Sequence, residues 1–310
     1  MAFERPDIIR PPSEARSYYL PLTAGCSNNT CTFCQYYGSK LQIRDVDEVI
    51  AEINALAMYV NNNIRIPGMP DIVYWIASDW DGKGIFLQDA DALVYPYDKL
   101  RTVLEHLNEK LPFVERVAIY ATATDILRRT QEELEELRRL KLGIVYMGLE
   151  SGDDEVLRDV KKGITSVEMI EAVNRVKIAG ILTSVMVILG LGGVEKSERH
   201  ARETIRVLNE MDPDYVGALT LLYVENAPIM REMTEGRFQT ISEFQSLKEL
   251  LIMIENSDFT NCFFSSMHAS NYLAVRGKLP REKERMVAQL KSVMEKGDQS
   301  ALRPESYRRL

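Results

Sequence analysis

At 310 residues with 45% hydrophobic content, the chain is long enough to bury a large core and is expected to form one continuous body. Its formal charge of -8 argues against broad, nonspecific nucleic-acid binding, and its longest apolar runs, such as Val185 to Leu191, are far too short to cross a bilayer. No signal-peptide core opens the sequence, and four cysteines with three crowded on one loop are no disulfide framework, so a reducing, cytoplasmic setting is expected.

The first strand is expected over Tyr18 to Leu22, and Cys26, Cys31 and Cys34, packed into nine residues, follow it. Only Cys262 remains elsewhere. Zinc wants four ligands, usually as two separated pairs, whereas three thiolates from one loop match three irons of a 4Fe-4S cubane and leave the fourth iron open to a small molecule. Zinc held by the three with Cys262 or a histidine is the structural alternative, and a loop of plain thiols is the bland one. A helix begins near Asp45 with an apolar stripe at Val46, Val49, Ile50, Ile53, Leu56 and Ala57. The insertion Asn61 to Ser78, with Pro67 and Pro70, reads as a loop.

Strand-like and helical segments then alternate: strand Gly84 to Leu87, helix Tyr97 to Leu111, strand Val117 to Tyr120, and a charged helix Ile126 to Leu140 whose acidic and basic residues form a solvated face. Strand Ile144 to Leu149 precedes a helix from Ser166 to Ala179, capped by Thr165 or Ser166 alone and stopped by Gly180. Strand Thr183 to Leu189, helix Lys196 to Met211 and strand Tyr215 to Leu222 complete the series. Six such repeats predict an α/β fold, a partial (β/α)6 TIM-like barrel over residues 1–222, where a full barrel needs eight. Residues 223–310 read as a helical closing segment with one apolar patch at Cys262-Phe263-Phe264, contributing to the substrate site.

The stretch Gly25-Cys26-Ser27-Asn28-Asn29-Thr30-Cys31-Thr32-Phe33-Cys34 resembles the cluster loop of the radical S-adenosylmethionine enzymes, including the aromatic Phe33 before the last cysteine. It has four residues between its first two cysteines where the superfamily commonly has three. That spacing is similar to an uncharacterised group sharing a lead-in like Arg10-Pro11-Pro12-Ser13-Glu14-Ala15 and a following Ile43-Arg44. Gly148-Leu149-Glu150-Ser151-Gly152 resembles a segment of the branch holding oxygen-independent coproporphyrinogen oxidases and methylthiotransferases. The resemblance implies a 4Fe-4S cluster on Cys26, Cys31 and Cys34, S-adenosyl-L-methionine on the open iron, and reductive cleavage to a 5'-deoxyadenosyl radical that abstracts hydrogen from an unidentified, small-molecule or other, substrate. It also implies an electron donor such as flavodoxin or ferredoxin. Sulfur or methyl transfer is the second reading, although one leftover cysteine gives little room for a second cluster. A nonenzymatic zinc or iron-sulfur protein is the third.

Chemistry in parallel barrels lies at the C-terminal strand ends, which selects the remaining candidates. The second strand ends in Gln88-Asp89-Ala90-Asp91-Ala92, where the superfamily commonly has Gly-Gly-Glu on the methionine ammonium; Asp89 or Asp91 supplies a carboxylate there, or else caps a turn. Tyr120 and Thr122 offer hydroxyls to a ribose, unless Thr124 merely caps the next helix. Glu150 is assigned to nucleoside or substrate, and Arg175 to the cofactor carboxylate, against an ordinary solvated arginine. In the related enzymes the end of the fifth strand lies against the adenine, so the resemblance implies that Leu189, Gly190 and Leu191 meet it here, with Gly190 letting the backbone approach. His268, in Ser265-Ser266-Met267-His268-Ala269-Ser270-Asn271, is the candidate proton-transfer or substrate residue, with a structural histidine as the alternative. Cys262 reads as a buried small residue. His106 and His200 are assigned no chemistry.

Overall fold

The computed structural model describes residues 3–35, 40–297 and 299–309. The fold is α/β. Its strands, in chain order, are β1 (Tyr18–Pro21), β2 (Thr23–Ala24), β3 (Gln42–Ile43), β4 (Gly84–Gln88), β5 (Arg116–Tyr120), β6 (Leu142–Glu150), β7 (Leu182–Leu189), β8 (Tyr215–Thr220), β9 (Cys262–Ser265) and β10 (Arg276–Leu279). Eight of them form a mostly parallel sheet in the order β1-β4-β5-β6-β7-β8-β9-β10, and β2 and β3 make a short antiparallel ribbon. Strand β8 pairs in parallel with β9, and β9 pairs antiparallel with β10. The six strands expected from the sequence are all present, as β1, β4, β5, β6, β7 and β8.

Four local expectations are corrected. The segment after residue 222 is not wholly helical, because Cys262-Phe263-Phe264 is the core of β9, with Cys262 and Phe264 buried and Phe263 half-buried between them. An apolar run of three residues carries too little periodicity to separate strand from helix. The insertion after Asn61 is not all loop: Asp71–Asp79 is helical, and Pro70 stands immediately before its first turn. The charged helix over 126–140 is two helices, Ala123–Leu127 and Gln131–Arg139, divided where Thr130 and Glu133 form a capping box. Thr165 does not cap alone. Its side chain accepts the Glu168 amide at 3.3 Å, while Glu168 accepts the Thr165 amide at 2.8 Å.

The chain divides into two compact units. The first comprises Met1–Asn29, Tyr37–Tyr146 and Arg175–Leu182. Here every residue of β1 and β4 is buried, as expected for parallel strands covered on both faces. Helix Val46–Asn62 starts at Asp45, whose side chain accepts the Asp47 amide, and buries Val49, Ile53 and Leu56. The same face buries Glu52 completely. Its carboxylate receives Arg5 at 3.0 Å, Arg44 at 2.6 Å and the Tyr18 hydroxyl at 2.7 Å. Burial by itself would raise the Glu52 pKa, but the two guanidinium groups and the phenol hold it below the usual carboxylate range.

The second unit comprises Thr30–Tyr36, Met147–Asn174 and Thr183–Leu310. Helix Gly193–Met211 buries His200, Thr204, Leu208 and Met211, and helix Glu243–Glu255 opens with a capping box between Ser242 and Gln245. Gly152, just past β6, allows a close approach: a Cβ there would lie 2.4 Å from the Glu203 carbonyl oxygen and 2.6 Å from the Thr204 Cα.

Removing the central anion of the first unit should be costly, because two arginines with side chains only 20% and 10% exposed would lose it. Glu52→Leu is expected to destabilise by about 3 to 5 kcal/mol in urea unfolding. A loss below about 1 kcal/mol would mean that water replaces the carboxylate, as at an exposed ion pair.

Candidate functional site

In the first unit, the polar residues at the end of β4 reach the two residues flanking Cys26. Asp89 Oδ2 accepts the Gly25 amide at 3.0 Å, and the Asp89 amide donates to Thr23 Oγ1 at 3.0 Å. The Ser27 hydroxyl donates to Asp91 and, at 3.2 Å, to Asp125. Asp91 also accepts the Thr122 amide at 3.2 Å. The start of the cysteine loop is thus held from both sides of Cys26 by buried carboxyl groups. Burial pushes Asp89 up to about 6. Burial and the facing Asp125 raise Asp91, while Asp125, despite its own burial, is lowered by hydrogen bonds from Asp91 and Thr122 and by Arg128. Asp91 therefore carries the proton of this pair.

Two acceptors at the same strand end remain unsatisfied. Gln88 Oε1 and Asp89 Oδ1 are buried without a hydrogen-bond partner. Orphaned acceptors carry a desolvation cost that a donor would remove. Thr122, not Thr124, caps helix Ala123–Leu127, accepting the Asp125 amide while its hydroxyl donates to Asp125 at 2.7 Å. The Tyr120 ring packs edge-on against Phe86 at 5.0 Å and near Tyr146 at 5.9 Å. Arg175 directs its guanidinium at the Leu127 and Arg129 carbonyls, both at 3.4 Å.

In the second unit, Cys31 and Cys34 are half-buried against an apolar cluster of Phe33, Val156, Val160, Leu191, Leu221 and Ile229. The intervening backbone is pinned: the Thr32 amide donates to the Val160 carbonyl at 2.9 Å, and its carbonyl accepts the Ile229 amide at 2.8 Å. Burial raises the Cys31 pKa. The Lys162 ammonium opposes that rise, while Glu150 and Cys34 add to it. Lys162 also pairs with Glu150 at 3.0 Å, and Glu150 sits at φ +63°, a left-handed conformation that ends β6. A cation beside a thiol favours the thiolate that iron or zinc requires.

Leu189 ends β7, Gly190 turns at φ +82°, and Leu191 packs into the cysteine-side cluster. A small cavity at these ends is bordered by Leu189, Gly190, Thr220 and Leu221, with Tyr272 and Arg308 from the later part of the chain. His268 lies in the loop after β9. Its Nδ1 accepts the Ser270 amide at 3.2 Å and faces the Ser270 hydroxyl at 2.9 Å, which leaves the ring proton on Nε2. Burial, together with Arg303, lowers its pKa, so the ring is neutral at neutral pH.

Among the described residues, no three His, Cys, Asp or Glu side chains converge on one metal-ion position. A cubane asks for something else, since each thiolate takes a different iron. The donor set fits a cluster in its chemistry: three thiols, a cation beside Cys31, and apolar cover from Phe33, Leu191 and Ile229. The orphaned Gln88 and Asp89 oxygens fit a cationic amine. Sequence reasoning assigned no role to Ser27, Asp125 or Lys162. Thr122-x-x-Asp125 has the form of a helix-cap signal, but Ser27 and Lys162 carry no local signature that separates them from surface residues.

The chain is similar to a tRNA-2-methylthio-N(6)-dimethylallyladenosine synthase of Nitrosomonas europaea, 26% identical over 65% of this chain and 42% of that protein. A Methanocaldococcus jannaschii protein named as a methylthiotransferase is also 26% identical, over 56% of this chain and 35% of its own length. The chain thus spans well under half the length of these curated relatives. Two solved structures share the fold: the radical S-adenosylmethionine methyltransferase TsrM of Kitasatospora setae, with TM-score 0.54 at 18% identity over 76% of this chain and 42% of that one, and coproporphyrinogen III oxidase of Escherichia coli, with TM-score 0.53 at 16% identity over 78% and 53%. Residues 20–205, well over half of the sequence, match the Radical SAM superfamily, and the chain is a member of that enzyme superfamily.

Proposed function

We propose that the chain binds a 4Fe-4S cluster through Cys26, Cys31 and Cys34, takes S-adenosyl-L-methionine beside it, and abstracts hydrogen from an unidentified substrate, a small molecule or other. The observation that carries this reading is the cysteine loop itself, fastened on both sides of Cys26 by Asp89 and Asp91 and bearing Cys31 beside Lys162. When bound, the cluster and cofactor supply reductive cleavage of the sulfonium and a 5'-deoxyadenosyl radical. The residues of the chain hold and orient. Asp89 keeps one oxygen on the loop and offers the other, with Gln88 Oε1, to the methionine ammonium. Asp91 steadies the loop and takes no direct part in cofactor contact. Glu150 with Lys162, and Leu189 to Leu191, are proposed to meet the nucleoside, and the hydroxyls of Tyr120 and Thr122 are separately proposed for a ribose.

Arg175 is left out of this cofactor set because its guanidinium faces two main-chain carbonyls. A flavodoxin- or ferredoxin-type protein is proposed as reductant. The names of the curated relatives favour a second reading, methylthio transfer to a tRNA base. Such a reaction needs a sulfur source, and the one cysteine of this chain outside the loop, Cys262, is fully buried in β9 and does not supply one.

Each of Cys26→Ala, Cys31→Ala and Cys34→Ala should lose most of its iron after anaerobic reconstitution, whereas Cys262→Ser should hold about 4 Fe per chain. If the three loop variants keep their iron and the Cys262 variant loses it, the ligand assignment is wrong.

Cofactor affinity should depend on pH through Asp89. Its carboxylate titrates near 6 and the ammonium stays charged, so binding of S-adenosylmethionine should weaken as pH falls below about 6. Asp89→Asn should bind less tightly and lose that pH dependence. Equal pH profiles for variant and wild type would leave Asp89 with the loop alone.

His268 is proposed to contact the substrate as a neutral donor through Nε2. His268→Ala should retain slow, substrate-independent cofactor cleavage, while coupled turnover falls roughly a hundredfold, as for a lost general acid or base. Loss of bound iron in this variant would instead make His268 structural.

A further inference from the structure

A second buried polar cluster joins the ends of β6 and β7 within the second unit. His200, on helix Gly193–Met211, is fully buried. Its Nε2 lies 3.1 Å from the Ile188 carbonyl and must carry the proton, since a carbonyl only accepts; Nδ1 then accepts the Ser151 hydroxyl at 2.8 Å. Burial lowers the His200 pKa to about 4, so this neutral form persists at neutral pH. Ser151 Oγ also accepts the Asp153 amide at 3.0 Å. From helix Glu243–Glu255, the buried Glu249 accepts the Gly190 amide at 2.8 Å and the Ser197 hydroxyl at 2.6 Å, and lies 3.8 Å from His200 Nε2.

Serine, histidine and glutamate in contact suggest a nucleophile, but the geometry excludes it. Ser151 has no exposed surface, so no substrate reaches its oxygen. Glu249 meets the histidine at 3.8 Å and spends its hydrogen bonds on Gly190 and Ser197. The arrangement is a clamp. One end holds the turn of Glu150, the residue paired with Lys162; the other holds Gly190, whose next neighbour Leu191 packs with Phe33, Cys31 and Cys34. Gly190 itself has φ +82° and only 3.0 Å from a would-be Cβ to the Ile241 side chain, so the backbone can take this path only as glycine.

We propose that Glu249 and His200 are positioning residues of the cofactor site: Glu249 sets the Gly190 turn by accepting its amide, and His200 ties the end of β6 to that of β7. The surface offered to the nucleoside is thereby preformed, as precise sites require of the groups that support them. This inference rests on the proposed binding of cluster and S-adenosylmethionine. Neither residue touches the cofactor in this scheme, and their effect passes through the two strand ends.

The test compares Glu249→Leu, which removes the acceptor at similar volume, with Glu249→Gln, which keeps one. Hydrogen-deuterium exchange is followed in the cofactor-free protein, and iron content and S-adenosylmethionine affinity after anaerobic reconstitution. Glu249→Leu should speed exchange of the amides at 190–193 and weaken cofactor binding roughly tenfold or more, with wild-type iron, because a buried amide loses its partner. Glu249→Gln should restore affinity to within about threefold of wild type. Should Glu249→Leu fail to fold, Ser151→Ala takes its place, with the same weakening of affinity expected because His200 Nδ1 keeps only the longer contact to Thr204 Oγ1 at 3.5 Å and the end of β6 is released. Wild-type affinity and exchange in the variant used overturn the proposal, as does a glutamine variant as weak as the leucine one. If the wild-type protein takes no S-adenosylmethionine, the functional reading falls and this inference with it; if it does and the variants match it, only this inference falls.

Discussion

A carboxylate taken out of water must be given donors, and that constraint recurs in both units of this chain. Glu52, Asp89, Asp91 and Glu249 are all buried, and each is answered differently. Glu52 takes two guanidinium groups and a phenol and ties residues near the N-terminus to a helix. Asp89 and Glu249 each take a backbone amide of a loop, Gly25 and Gly190. Asp91 keeps its proton beside Asp125 and takes the Ser27 hydroxyl. Gly25, Ser27 and Gly190 lie in loops between regular elements, so burying the acids that accept from them fixes those loops.

This gives the acidic residues near strand ends a double meaning. A carboxyl group at such a position can serve a ligand, a loop, or both, and counting its free lone pairs distinguishes the cases. Both oxygens of Asp91 are used within the protein. Asp89 has one oxygen on Gly25 and one without a partner, and the side-chain oxygen of the preceding residue, Gln88, is likewise unpartnered. Two residues apart in sequence, they carry different functional weight. The same accounting separates Glu150, whose partner Lys162 lies beside Cys31, from Arg175, which is turned toward main-chain carbonyls.

The parallel sheet explains why these groups are found where they are. Strands buried on both faces have no polar positions along their length, so polar side chains cluster where the strands stop. Strand β4 is buried throughout and ends at Gln88; β6 ends at Glu150 in a left-handed turn; β7 ends one residue before Gly190. Glycine is needed at that last position by both conformation and space, whereas Gly152 is needed because the Glu203–Thr204 backbone passes against it.

What the sequence determined by itself was whatever is written in local periodicity or in residue type: the alternation of strands and helices, six of the strands, and a three-cysteine loop directly after the first. Short segments escaped it. Cys262–Ser265 is a strand because β8 pairs with it, and its four residues carry no period that says so. Thr122 could be seen as near a strand end, but its identity as the cap followed only from the position of Asp125. Ser27, Lys162, His200 and Glu249 matter through residues 64, 12, 49 and 59 positions away in the chain. Whether a serine faces water or a buried carboxyl, and whether a glutamate is a surface charge or the partner of a distant amide, depends on which segments folding brings together, and only the tertiary structure decides that.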